Sequence, residues 1–160
     1  MGTAPSPGPA GPGNSPRRGR YRAGSDPSNP LRLRMSSVVY VALGGACGAL
    51  ARYGTGRLVA RLVEPPFPWG TWAVNLIGCF LIGVTVPLLG QLSGAERARF
   101  FLVVGFLGSF TTFSTFSLDT VALWGHGHGL LGLLNAAGSL VCGIVLVAVG
   151  REVSAWLLGL

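Results

Sequence analysis

The sequence predicts an all-α membrane protein of four transmembrane helices, with the third helix broken in mid-membrane. Three observations predict it. Of 160 residues, 49% are apolar and only 11% charged, and the mean hydropathy is +0.55. Four apolar runs, at about 38–62, 69–89, 100–124 and 129–149, each approach the ~20 residues that cross a bilayer as a helix. Within the third run, Gly105 to Ser117 carries six hydroxyl side chains and four phenylalanines. Polar groups at membrane depth cost free energy, so this density of Ser and Thr needs buried partners, an ion or water.

Residues 1–34 hold seven prolines and six glycines with almost no large aliphatics, and they read as a disordered cytoplasmic tail. Residues 35–160 form the membrane domain. All twelve cations are arginine and the net charge is +7. Arg17, Arg18, Arg20, Arg22, Arg32 and Arg34 precede the first apolar run. A nucleic-acid-binding arm is one reading of them. The run that follows favours the other, a tail that orients the first helix by the positive-inside rule, with no nucleic acid bound. That run is longer than a signal-peptide core and continues through Arg52, so it reads as a retained helix.

Gly44 and Gly48 in the first span have helix-packing spacing. Glu64-Pro65-Pro66-Phe67-Pro68 ends that span. The second span runs to a link that contains Glu96, Arg97 and Arg99. After the third, Gly125-His-Gly-His-Gly129 forms a flexible turn. In the fourth, Gly138 with Cys142 and Ser139 with Gly143 repeat the small-residue spacing. Trp69, Trp72, Trp124 and Trp156 sit near span ends as interfacial anchors. Four spans place both termini on one side, and the arginine balance makes it the cytoplasm. Four helices alone bury little surface, which favours an oligomer in the cell membrane.

Few residues carry chemistry. Arg52 lies well inside the first span; it orders a polar site and attracts anions, or else it snorkels and holds helix-end carbonyls. Asn75 places an uncharged amide in mid-membrane; it donates to a passing anion, or it bonds across helices. Gly78 and Cys79 leave space beside it. Phe106, Phe110, Phe113 and Phe116 form one stripe if their segment is helical. Their ring edges are electropositive. Ring edges with hydroxyl and amide donors solvate an anion without trapping it, as conduction requires. The glycines and β-branched threonines weaken the helix here, and a broken helix frees carbonyls that can bind a cation.

Asp119 is expected to cap or anchor the second half of the third span. Asn135 and Ser139, one turn apart, make a polar track or a helix–helix bond. His126 and His128 form a poor metal site on a glycine turn, and Cys47, Cys79 and Cys142 read as small packing residues. No metalloprotease, P-loop or nucleophile-elbow motif is present, so no enzyme activity is expected.

Three motifs taken together resemble the CrcB/Fluc fluoride channel family. They run from Gly44 to Tyr53, from Gly70 to Gly78 and from Gly105 to Ser117, and the resemblance covers roughly residues 38–150. It implies an antiparallel dual-topology dimer with two fluoride pores that lets cytoplasmic fluoride leave passively. Asn75 matches the pore-lining asparagine, and Phe113 and Phe116 match the phenylalanines whose ring edges line the pores. Gly108 and Thr111 match the positions whose backbone carbonyls hold a structural sodium ion (Na+) at the dimer centre. Arg52 matches the arginine of the first span. Ser139 is similar to the polar-track serine of the fourth, and Thr112 and Ser114 fall within the third motif as further hydroxyls.

Ser109 stands where a second glycine is common in the family, and Asp119 where a glutamate is common. Dual topology is easiest when loop charges balance, and here the termini side is richer in arginine. The chain is therefore expected as a homodimer or as a heterodimer with an oppositely oriented paralogue. Two rival functions are a small four-helix antiporter and a non-transporting membrane assembly subunit. The first needs a membrane carboxylate in the first span, where this chain has Arg52.

Overall fold

The computed structural model describes residue 2 and residues 30–160, with side chains described from residue 37 onward. The tail expected over 1–34 lies outside the described residues, apart from residue 2 and the backbone of 30–34, which is helical. Among the described residues every regular element is a helix. In chain order these are α1 (Pro30–Leu62), α2 (Trp69–Gln91), α3 (Glu96–Ala98), a π-helical stretch (Arg99–Leu107), α4 (Gly108–Phe110), α5 (Phe113–Gly125) and α6 (Gly129–Leu158).

Three segments are long and apolar enough to cross a membrane: Trp69–Gln91, Glu96–Gly125 and Gly129–Leu158. α1 has 33 residues and carries Arg52, Arg57 and Arg61 in its second half. α6 continues nine residues past the expected end of its span at 149, through the charged Arg151 and Glu152, to Gly159. That glycine has φ 70°, a left-handed C-cap that L side chains resist. The whole of α6 is about 45 Å long, against an apolar bilayer core of about 30 Å. Trp156 and Leu157 of α6, and Leu160 after it, are exposed beyond the charged pair.

The helices meet through small residues. A Cβ built on Gly44 would strike the Phe101 carbonyl, and one on Gly48 the Phe106 carbonyl, so α1 lies directly on the π-helical stretch. Gly105 returns the contact against Val41 and Gly44. The first expected glycine pair is thus a close-approach site. In α6 the expected contact at Gly138 is not made, since a Cβ there would meet nothing within 4 Å. Gly143, of the second expected pair, lies beside the Cys79 sulfur, and Gly150, which was not expected, meets the Phe80 carbonyl; these two carry the contact with α2. Spacing alone does not tell which side of a helix faces its neighbour. Gly83→Ala is expected to lower thermal stability by about 1–3 kcal/mol, because its Cβ meets the rigid Val147 carbonyl. Gly138→Ala should be neutral. Thermal unfolding in detergent checks both.

The stripe of four phenylalanines is divided. Phe106 and Phe110 stack at 5.8 Å and 8°, with Phe110 in the core. Phe113 and Phe116 lie 5.6 Å apart at 41°. Between the pairs the backbone leaves the helix at Thr111 (φ −81°, ψ 157°) and Thr112 (φ −148°, ψ 115°). Two β-branched residues in succession suit extended backbone better than helix.

Candidate functional site

Two extended residues inside an apolar segment expose backbone groups that must be paired. Asn75, on α2, pairs those of Thr112. Its Oδ1 accepts from the Thr112 N–H at 2.8 Å, and its Nδ2 donates to the Thr112 carbonyl at 3.1 Å. Both ends of the amide thus grip the backbone of one residue, on the two peptide units that flank it. The Thr112 hydroxyl then caps α5, accepting from the Thr115 N–H at 3.2 Å and donating to the Thr115 hydroxyl at 3.0 Å. Ser114 Oγ lies 3.4 Å from the same hydroxyl. The cap of α5 is therefore Thr112 and not Asp119.

Asp119 sits two turns into α5 and accepts from the Thr71 hydroxyl of α2 at 2.6 Å. Thr71 and Asn75 are one turn apart on α2, so α2 holds α5 at two heights. The sequence reading missed Thr71. Its signal was the spacing of four from Asn75, which puts both polar groups on one face.

These pairings also release carbonyls. In an unbroken helix the Thr112 N–H would donate to Gly108 and the Thr115 N–H to Thr111. Here Asn75 takes the first donor and the Thr112 hydroxyl takes the second. The carbonyls of Gly108, Ser109, Phe110 and Thr111 thus all lose the donor four residues on, and Gly108 and Thr111 are two of these four. They lie at the C-terminal end of a helical run, where the dipole is negative.

Gly108, Thr111, Thr112, Asn75 and Phe113 line one cleft of about 310 Å³, so these five expected residues are brought together. Gly78 and Cys79 line the same cleft beside Asn75, and the Thr111 methyl packs directly on Gly78. Phe113 is 79% exposed and Phe116 half-buried. Arg52 is not in this cleft. It lines a second one of about 480 Å³ with Thr71, Thr112, Thr115 and Asp119. Thr112 forms a wall of both.

Ser139 lines a neighbouring groove of about 720 Å³ with Cys79, Gly143 and Arg151, and Cys79 forms a wall of both this groove and the Asn75 cleft. Its Oγ is buried and makes no hydrogen bond among the described residues. Asn135 does not continue toward Ser139 as a polar track. It is 0% exposed and donates to Thr120 of α5 at 2.8 Å, a helix–helix bond. His126 is held by the Ala122 carbonyl at 2.7 Å, and no group of three metal-ligating side chains occurs among the described residues.

Comparison with known proteins bears on this arrangement. Residues 39–151 match the family described as CrcB-like protein, Camphor Resistance (CrcB). A protein of Salinibacter ruber named "Fluoride-specific ion channel FluC" is 46% identical over 78% of this chain and 94% of its own length. The protein of the same name from Thermus thermophilus is 48% identical over 78% of this chain and 100% of its own. The one from Rhizobium leguminosarum bv. trifolii is 43% identical over 74% and 96%. Every residue of the site lies within the matched region.

Proposed function

The chain belongs to the CrcB-like family, and from that premise we propose that it is a fluoride-selective ion channel, exporting cytoplasmic fluoride passively. It is a multi-pass membrane protein and not an enzyme. The observation that carries the reading is the grip of Asn75 on Thr112, which holds a break in an apolar segment open beside Phe113.

The donors in this region suit a small, strongly hydrated anion. Asn75 uses one amide proton on the Thr112 carbonyl and keeps a second. Ser139 Oγ has its proton to give. The Ser114 hydroxyl lies beside the start of α5, the positive end of its dipole, while Thr112 spends its own proton on Thr115 and serves as the cap. The ring edges of Phe113 and Phe116 add weak electropositive contacts. No fixed lysine or arginine lines the Asn75 cleft, so the anion is solvated without being trapped. Arg52 draws anions into the neighbouring cleft, and Asp119 in that cleft offsets part of its charge. A negative cell interior then drives the anion outward, by about 2.3 kcal/mol per charge per 100 mV.

The proposal includes four spans, with α1 as the first and the Thr111–Thr112 break in mid-membrane. It also includes an antiparallel dimer. Phe113 is exposed to 79%, so one chain leaves the ring-edge site open, and a second copy or an oppositely oriented paralogue completes it. The carbonyls of Gly108 and Thr111 are hard oxygen donors freed from the helical ladder, which fits a sodium ion shared with the partner's matching pair. Sodium there supplies positive charge that ties two negative helix ends together. Exchanging sodium for a large organic cation is expected to lower the melting temperature of the purified dimer. An unchanged melting temperature would contradict the sodium assignment.

Growth tests the function. Expression in a cell that has lost its fluoride exporter should restore growth in fluoride medium. Absence of rescue, with the protein in the membrane as a dimer, would contradict the channel reading.

A further inference from the structure

α5 is detached from the helical run before it by two extended residues. Its rotation about its own axis is therefore not set by helical continuity. Side chains must set it. α2 grips it through Asn75 on Thr112 and through Thr71 on Asp119. α6 grips it from another side through Asn135. The amide Nδ2 of Asn135 donates to Thr120 Oγ1 at 2.8 Å, and that hydroxyl donates to the Phe116 carbonyl at 2.8 Å. Both side chains are buried, Asn135 to 0% exposure and Thr120 to 6%. Phe113 and Phe116 lie between the Asn75 grip and this one.

We propose that Asn135, acting through Thr120, is a positioning residue that fixes the axial rotation of α5 and so the direction of the Phe116 ring edge. This rests on the channel reading above. Two features make the bond more than packing glue. The donor and acceptor roles are forced, because Thr120 spends its own proton on Phe116 and can only accept from Asn135. The chain of bonds also ends on the backbone of Phe116 itself. A hydroxyl bonded back to the carbonyl one turn earlier bends a helix and fixes its own rotamer. Asn135 ties that hydroxyl, and with it the backbone at Phe116, to α6.

The test uses Thr120→Val, which keeps the shape and removes both bonds, with Thr120→Ser as the conservative control. Thr120→Val should form the dimer at normal yield and lose fluoride flux per dimer roughly tenfold, and Thr120→Ser should retain it. Asn135→Ala should lose a similar amount, and the double variant should lose no more than either single one. Normal flux per dimer from Thr120→Val, or losses that add in the double variant, would overturn the proposal.

A second readout does not depend on transport. With 3-fluorophenylalanine at position 116, the ¹⁹F resonance should move or split in Thr120→Val and stay in place in Thr120→Ser. An unmoved resonance in Thr120→Val would overturn the positioning role whether or not the protein conducts fluoride. Fluorine shifts as expected in a wild-type protein that carries no fluoride would instead overturn the channel reading and leave the α5 grip standing.

Discussion

Asn75→Asp is expected to preserve the dimer and abolish fluoride flux. The substitution keeps an oxygen where Asn75 Oδ1 accepts from the Thr112 N–H, so the break in the helix keeps its main brace. It removes the amide proton that meets the Thr112 carbonyl, and it adds a negative charge beside the path. Two unit charges about 4 Å apart at an effective dielectric near 20 repel by about 4 kcal/mol, roughly a thousandfold in anion occupancy. Asn75→Ala should behave differently. It leaves the Thr112 N–H and carbonyl both unpaired, at about 1–3 kcal/mol for each buried group, and should lower dimer yield as well as flux. Liposome flux measured beside dimer yield separates the two. Appreciable fluoride flux through Asn75→Asp would show that the anion passes elsewhere.

Phe113→Ile and Phe116→Ile form the second large prediction. Each keeps an apolar side chain and removes the electropositive ring edge. Phe113 is 79% exposed in the single chain, so its truncation should cost the fold of that chain little. If ring edges solvate the anion, each change should lower flux by about tenfold, the worth of one good aromatic contact. Dimer yield should hold. Normal flux from both variants would count against the ring-edge mechanism.

Much of this architecture is visible in the chain, and particular residues show where visibility stops. Apolar runs and the glycine turn at Gly125–Gly129 place α2 and α6 at their starting residues. The density of Thr and Gly around Thr111 marks where the helix fails, because β-branched and glycine residues are poor helix formers. Asn75 stands out as an amide in an apolar span. That it would bond both the N–H and the carbonyl of Thr112 depends on the crossing of two helices, which spacing does not encode.

Of the two roles expected for Asp119, it takes the anchor, through Thr71, and the cap falls to Thr112 for a local reason. Threonine is itself a good cap, and Thr112 lies immediately before the helix, whereas Asp119 lies two turns inside it. The π-helical stretch gives no pattern in composition, since it is as apolar as an α-helix would be. The extra length of α6 was legible at Gly159, a natural helix stop, but the charged pair Arg151 and Glu152 drew the boundary inward. Asn135 was visible as a polar residue in an apolar span, yet its partner Thr120 sits on a helix whose rotation only the fold sets.

The most direct measurement is ion efflux from liposomes that hold this chain alone, loaded with fluoride or with chloride, with a potassium ionophore clamping the voltage. The account predicts rapid efflux from the fluoride-loaded vesicles and none from the chloride-loaded ones, and that result would also show that one chain suffices. If the chain alone is silent, an oppositely oriented paralogue added from the same source should restore fluoride efflux. Silence in both cases, or equal efflux of the two anions, would contradict the account.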